Sequence, residues 1–159
     1  MYKIVAVLFL AFTLAACSQS AVSEPAALST QATRLERQHK EIRAALGGLT
    51  LQYLSESEYP WVYHLVPRPS FATYLAAWEG KDVTQRRSFT EFFRQLRNSL
   101  YTDIDAERYT VLERTLRRHL DYLRIYWVTD PADPYEVQIV ILGKNRFGVF
   151  ALRAVSVET

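Results

Sequence analysis

Three strand-like segments follow one another in the last third of the sequence. They are rich in β-branched and aromatic residues, and they span 123–128, 135–142 and 147–157. Turn-forming residues separate them at 130–134, and a hairpin turn is predicted at 143–146. Strands joined by such short connections pair in antiparallel fashion, so these segments restrict how the rest of the chain can pack.

The first half of the chain begins with a helix and a strand. Apolar residues at helical spacing predict a helix over 30–46, and Gly47 and Gly48 end it. The aromatic and β-branched run at 61–66 predicts a strand, which Pro67 and Pro69 are expected to stop.

Three more helices are predicted before the C-terminal strands. Ser70 begins a short one with an aromatic stripe, the capping box Ser88–Glu91 opens the next, and a longer one starts near Asp105. Helices and strands thus segregate along the chain. We therefore expect an α+β fold in which helices pack on a largely antiparallel sheet.

The N-terminal residues have the pattern of a bacterial lipoprotein signal. Lys3 is followed by an apolar stretch at 4–12 and by Leu-Ala-Ala-Cys at 14–17. The apolar run is shorter than the roughly 20 residues that a membrane-spanning helix needs. Cys17 is the single cysteine of the chain, so an internal disulfide is excluded. We predict that Cys17 carries the acyl chains of a lipid anchor.

These features divide the chain into three parts. Residues 1–16 are predicted to be the signal peptide, 17–29 the lipidated cysteine with a flexible linker, and 30–159 a single folded domain. The neutral Ser18 after the cysteine is typical of outer-membrane sorting. We therefore expect the protein in the bacterial cell envelope, anchored to the outer membrane and facing the periplasm.

Composition and spacing give no sign of catalysis. The net charge of +2 favours neither a nucleic-acid-binding protein nor an acidic mimic of nucleic acid. His39, His64 and His119 lie on different predicted elements without metal-ligand spacing, and there is no Gly-rich phosphate loop or nucleophile elbow. We therefore expect a protein that is not an enzyme and that has no cofactor or metal of its own.

A short acidic motif precedes the strand at 61–66. The sequence Ser-Glu-Ser-Glu-Tyr-Pro at 55–60 places Glu56 and Glu58 on the same side of the chain if the segment is extended. Two interpretations remain open. The motif is either a polar loop leading into a strand, or a site for a cation or for a basic surface of a partner.

The motif and the end of the chain together resemble the nuclease A inhibitor family. The likeness rests on 55–60 with the aromatic strand after it, on Arg-Ser-Phe-Thr-Glu-Phe-Phe at 87–93, and on the closing strand 147–159, which ends Val-Glu-Thr. Ile125–Tyr126 and 137–143 match the two preceding strands of that family. The resemblance covers about 46–159.

The resemblance implies a three-layer α-β-α sandwich and a function. Members of the family inhibit a non-specific, magnesium-dependent sugar-phosphate nuclease by binding at its active site. Glu56 and Thr159 match the positions that are directed at the magnesium ion of the nuclease, and Glu58, Glu158 and Tyr101 are expected to contact the partner. We therefore expect a monomer that binds a nuclease and does not bind nucleic acid directly, and that is attached to the membrane through the lipid anchor on Cys17.

The chain departs from the family at two places. It has Asn-Ser-Leu-Tyr at 98–101 where the family often has Gln-Asp-Trp-Tyr, and 50–54 lacks the usual Gly-Leu-Leu. Because an acid and a large aromatic residue are missing, a second interpretation stays open. In it, an envelope-anchored lipoprotein uses the same scaffold as a structural or binding module without inhibiting a nuclease.

Overall fold

The computed structural model describes residues 24–51, 59–99 and 103–157. Within these residues there are four helices: α1 (Glu24–Leu46), α2 (Phe71–Ala76), α3 (Phe89–Ser99) and α4 (Asp103–His119). The strands in the same residues are β1 (Thr50–Leu51), β2 (Tyr59–Pro60), β3 (Val62–Arg68), β4 (Asp82–Thr84), β5 (Asp121–Asp130), β6 (Asp133–Asn145) and β7 (Gly148–Val157).

Five of the strands form one sheet in the order β3-β7-β6-β5-β4, and every neighbouring pair is antiparallel. The long hairpin of β6 and β7 lies at its centre. β1 and β2 form a separate two-stranded ladder. The predicted α+β fold with an antiparallel sheet is therefore confirmed.

Helices cover both faces of the sheet. The larger cluster of buried side chains joins α1, α3 and α4 to one face, where Phe92, Leu116 and Ile139 are fully buried. Alternate residues of the same strands form a smaller cluster on the other face, where Tyr74 of α2 packs against Val140. The result is a three-layer α-β-α sandwich whose second helical layer is one short helix.

The helix starts follow the predicted caps. The hydroxyl of Ser70 accepts a hydrogen bond from the Thr73 amide at 3.3 Å, and that of Ser88 accepts one from the Glu91 amide at 3.2 Å. The apolar side of α3 is buried in full, and it consists of Phe89, Phe92, Phe93 and Leu96. In contrast, α1 begins at Glu24 rather than at residue 30, so residues 24–29 are helical and not linker. Pro25 is compatible with this start because the first helical turn needs no amide from it.

The prediction of a turn at 143–146 is wrong. β6 continues through Gly143 to Asn145, and the turn follows at Arg146 and Phe147. Leu120, which directly follows α4, and Leu123 of β5 pack on Gly143 in the strand. A Cβ atom at Gly143 would lie 2.8 Å from Leu120 Cβ and 2.8 Å from Leu123 Cδ2.

β3 continues through Pro67 and ends at Arg68, directly before Pro69, so the strand stops at the second of the two prolines. β3 is at the edge of the five-stranded sheet, where proline is tolerated because one side of the strand needs no ladder hydrogen bonds. The register between β3 and β7 shifts between His64 and Arg68, which accommodates the proline.

Among the residues whose burial is described, the hydrophobic core extends from Leu35 to Ala154. It contains side chains of α1, α3, α4 and the sheet on one face, and Tyr74 of α2 on the other.

Candidate functional site

The predicted site residues lie outside the described residues. Glu56 and Glu58 belong to 52–58, Tyr101 to 100–102, and Glu158 and Thr159 to the last two positions. The predicted lipidation site, Cys17, also lies outside the described residues, since it precedes residue 24. What the structure does give is the placement of the residues that flank these segments.

The residues on either side of 52–58 lie next to each other. Leu51 and Tyr59 are directly paired in the β1–β2 ladder, with Thr50 opposite Pro60. The acidic motif is thus joined to the domain at one narrow point. Leu51 is fully buried, which fixes that point to the core.

The end of β7 lies on the same side of the molecule. Val62 of β3 is paired with Arg153 of β7 in antiparallel register, and β2, which precedes Val62, contacts β7. Going backward from Val62, the chain therefore runs along β7 toward Val157. Val157 is the last described residue, and it is paired with Glu136.

The start of α4 approaches the same place. The hydroxyl of Tyr109 donates a hydrogen bond to the carbonyl oxygen of Thr50 at 2.6 Å. Arg108 donates to the carbonyl oxygen of Gly47, at the end of α1. Asp103 is six residues before Tyr109 on α4, which is about 9 Å along a helix. We call the region around Leu51, Tyr59, Asp103 and Val157 the loop end of the domain.

A buried hydrogen-bond chain holds the loop end together. The indole Nε1 of Trp61 donates to the Tyr109 hydroxyl at 2.9 Å, and that hydroxyl in turn donates to Thr50. Tyr109 is only 1% exposed, and burial raises its pKa to about 12, so the phenol stays protonated at physiological pH. Three separate elements are therefore fixed by one hydroxyl group.

Sequence patterns did not reveal this role for Tyr109 and Trp61. Spacing predicts Tyr109 on the apolar face of its helix, and composition predicts Trp61 in a strand, but neither shows that their polar atoms meet. Aromatic residues with a polar atom usually find a partner when buried, and that rule was the one available signal.

Charged side chains of both signs are exposed near the loop end. The acids are Glu107, Asp133 and Glu136, whereas Arg43 lies beside Pro60 and Val62, and Arg153 is paired with Val62. Acids such as these can pair with basic groups of a partner.

The histidines remain dispersed. His39 shares a hydrogen bond of 3.2 Å with the Tyr63 hydroxyl, and His119 shares one of 2.8 Å with Glu41. His64 lies on the other face of the sheet, and burial, helped by Arg153 and Arg68, lowers its pKa. Across residues 24–51, 59–99 and 103–157, no three His, Cys, Asp or Glu side chains are grouped so that they could hold a metal ion.

A groove of about 760 Å³ lies between α2 and the sheet. Its described lining includes His64, Trp78 and the cationic side chains of Arg68, Lys81 and Arg153, but no carboxylate. The described lining of the groove is therefore positively charged.

Comparison with known proteins adds no relative. No protein-family model matches the chain. No curated protein matches it significantly either. None of the helices in the described part of the chain is both long enough and apolar enough to cross a membrane.

Proposed function

We propose that this protein is an envelope-anchored inhibitor of a non-specific, magnesium-dependent nuclease. One observation carries the proposal: the described residues that flank the acidic motif, the α3–α4 connection and the C-terminus meet at the loop end. These are the segments that contain Glu56, Tyr101 and Thr159, which lie far apart in the sequence. A single partner surface can contact segments that leave the domain at one end.

The rigidity of the loop end supports the proposal. Inhibitors bind tightly when their contact residues are held in place before binding, because less conformational entropy is lost in the complex. The Trp61–Tyr109–Thr50 chain and the Leu51–Tyr59 pair supply such a base for the acidic motif.

The chemistry of the segments fits a magnesium-dependent active site. Mg²⁺ prefers hard oxygen ligands, and it keeps several waters that such ligands can replace or bind. The carboxylate of Glu56 and the hydroxyl and terminal carboxylate of Thr159 supply oxygens of this kind. The exposed acids Glu107, Asp133 and Glu136 complement the basic surface of an enzyme that binds phosphates.

Two changes in the proposed contact residues test this function. Glu56→Gln removes one charge at constant shape, and deletion of Thr159 shifts the terminal carboxylate by one residue and removes a hydroxyl. Each is expected to weaken inhibition of a cognate magnesium-dependent nuclease by about 2 kcal/mol or more, roughly thirtyfold. The double mutant should lose less than the sum of the two, because both groups approach one cation.

Glu36→Gln is the matched control, since Glu36 is exposed in α1 and far from the loop end. It should inhibit like the unchanged protein, and thermal melts should show all the variants folded. If Glu56→Gln and the Thr159 deletion inhibit as well as the unchanged protein, the proposed contact site is wrong. If the unchanged protein inhibits no such nuclease, the alternative applies, namely a binding or structural lipoprotein on the same scaffold.

A further inference from the structure

Arginine side chains gather at the end of the sheet opposite to the loop end. Asn145 and Gly148 are paired at one end of the β6–β7 ladder, and Glu136 and Val157 at the other. The two ends are about 30 Å apart at the usual rise of a strand. At the Asn145 end, a concavity of about 530 Å³ is lined by four arginines: Arg34, Arg37, Arg118 and Arg146. We call this the arginine end.

A polar network fixes the elements that carry these arginines. The side-chain amide of Asn145 donates to Gln38 Oε1 on α1 at 2.6 Å and to the carbonyl oxygen of His119 at the end of α4 at 2.8 Å. Its own side-chain oxygen accepts from the Phe147 amide at 2.9 Å. Gln38 is only 3% exposed, although it is polar. The hydrogen bonds of Asn145 to Gln38, His119 and Phe147 thus join α1, the end of α4 and the β6–β7 turn.

Most of the positive charge at this end has no carboxylate partner. Arg118 lies 3.3 Å from Glu41, which also binds His119. Asp121 is the other acid in the lining. Among the described residues, Arg34, Arg37 and Arg146 form no ion pair, and all are exposed. Like charges brought together in this way repel one another, and an anion with several negative groups relieves the repulsion.

Aromatic rings accompany the arginines. Tyr122, at the start of β5, is 63% exposed, and the ammonium group of Lys144 lies 4.0 Å from its ring centre. The guanidinium of Arg146 lies 4.7 Å from the centre of the Phe147 ring. Exposed tyrosine beside cationic side chains is the composition that favours the headgroup region of a bilayer.

We propose that the arginine end docks the domain onto the anionic phospholipid headgroups of a membrane. The inference rests on the proposed lipid anchor, because α1 carries two of the arginines and leads back from them toward Cys17. Arg34 is ten residues after the start of α1, about 15 Å along the helix. The acyl chains predicted at Cys17 hold the protein at a membrane, and a basic surface adds an electrostatic attraction to anionic headgroups.

The geometry also gives the docked domain an orientation. With the arginine end on the headgroups, the loop end points away from the membrane by the length of the sheet. A soluble nuclease can then reach it without contacting lipid. A concave patch of four arginines suits a cluster of headgroups, whereas a nucleic-acid duplex needs a longer positive track.

Vesicle binding of the lipid-free chain from Ser18 onward tests the proposal, since every described residue lies within that part. The vesicles are phosphatidylcholine alone, or phosphatidylcholine and phosphatidylglycerol in equal parts. We expect binding to the anionic vesicles only, and its loss at high salt. The triple variant Arg34→Gln, Arg37→Gln, Arg146→Gln should bind roughly a hundredfold more weakly, about fivefold for each charge removed.

Two further variants with three substitutions each serve as controls. Arg43→Gln, Arg114→Gln, Arg153→Gln removes the same charge from exposed positions elsewhere and should bind like the unchanged chain. Replacing the first three arginines by lysine keeps the charge and should retain binding to within a few fold. Circular dichroism establishes that each variant is folded.

The proposal is overturned if the unchanged chain does not bind anionic vesicles at low salt, or if both glutamine triples lose binding equally. It is also overturned if a short DNA duplex displaces the chain from the vesicles and binds through the same arginines, since the surface would then be a nucleic-acid site. Nuclease inhibition by the unchanged chain and by the arginine triple variant is measured separately. If the unchanged chain binds vesicles but does not inhibit the nuclease, only the proposed function is rejected. If it inhibits the nuclease but does not bind vesicles, only the docking is rejected.

Discussion

Tyr109 shows how one residue connects the fold to the candidate site. Its hydroxyl accepts from Trp61 and donates to Thr50, the first residue of the ladder from which the acidic motif departs. The ring itself packs against Phe93, with 6.4 Å between the ring centres. The same side chain therefore contributes to the core and fixes the base of the proposed contact segment.

Tyr109→Phe is expected to destabilise the domain by about 1–3 kcal/mol, because it leaves the buried Trp61 indole and the Thr50 carbonyl without their partner while the ring still fills its place. Urea unfolding measures the change. Tyr135→Phe, at an exposed position, should cost less than about 0.5 kcal/mol. In the double mutant with Trp61→Phe, the two losses should not add, and full additivity would mean that the hydrogen bond contributes nothing.

Gly143 marks a limit of prediction at the residue scale. Glycine followed by Lys-Asn-Arg is a reasonable turn pattern, and the sequence does not reveal that Leu120 and Leu123 lie against this glycine. Contacts between residues that are far apart in the chain decide such positions, and local patterns do not contain them. The caps at Ser70 and Ser88 are predictable because each depends on residues within one turn.

Gly143→Ala should destabilise the domain by about 1–3 kcal/mol, because the new methyl group would overlap the Cβ of Leu120, which cannot rotate away. Gly47→Ala is a suitable comparison, since its Cβ would meet the Ala44 carbonyl oxygen at 3.1 Å and should cost less. A thermal melt of each variant checks the order. An unchanged midpoint for Gly143→Ala would show that Leu120 and Leu123 do not pack on Gly143 as described.

At the scale of elements, side-chain contacts join α1 to both ends of α4. Glu41 of α1 binds His119 and Arg118 near the end of α4. Arg108, near the start of α4, donates a hydrogen bond to Gly47, directly after α1. The two helices are therefore antiparallel, and α1 extends beyond α4 toward the arginine end. This extension is what brings Arg34 and Arg37 to Arg146.

The interaction of Glu41 with His119 and Arg118 predicts that the stability of the domain depends on pH. The hydrogen bond from His119, together with the charges of His119 and Arg118, lowers the pKa of Glu41 below its ordinary value. Ionised Glu41 therefore stabilises the folded state above that ordinary value, and the stabilisation is lost as the pH falls through the lowered pKa. Glu41→Gln should melt below the unchanged protein near neutral pH, and the two curves should converge in acid. Glu36→Gln should show no such convergence, because Glu36 has no ion-pair partner among the described residues.

Long helices and strands could be predicted from the sequence, and the shortest strands could not. The helices α3 and α4 and the long strands β5, β6 and β7 repeat their apolar pattern over several periods, so each was found close to its observed position. β1, β2 and β4 have two or three residues each, which is too short for any period. They exist because a neighbouring strand is present, and a local pattern does not show that neighbour.

The whole molecule has two functional ends in our proposals. The sequence singled out the motif at 55–60 together with Tyr101, Glu158 and Thr159. It did not show that the residues flanking these segments meet, since that depends on the β3–β7 register and on Tyr109. The arginine end was still harder to predict from the sequence. Its residues come from α1, α4 and the β6–β7 turn, and each one alone looks like an ordinary solvated charge.

Cys17→Ala tests the arrangement of the whole molecule. Without the thiol, acyl labelling in the cell should be lost, and the chain should leave the membrane fraction or remain as an unprocessed precursor. The lipid-free chain should still inhibit the nuclease as the anchored protein does, because the two ends are about 30 Å apart and residues that distant act independently. For the same reason, Glu56→Gln should bind anionic vesicles like the unchanged chain. Persistent acyl labelling and an unchanged N-terminus in Cys17→Ala would rule out the lipid anchor, whereas a loss of vesicle binding in folded Glu56→Gln would show that the two ends are not independent.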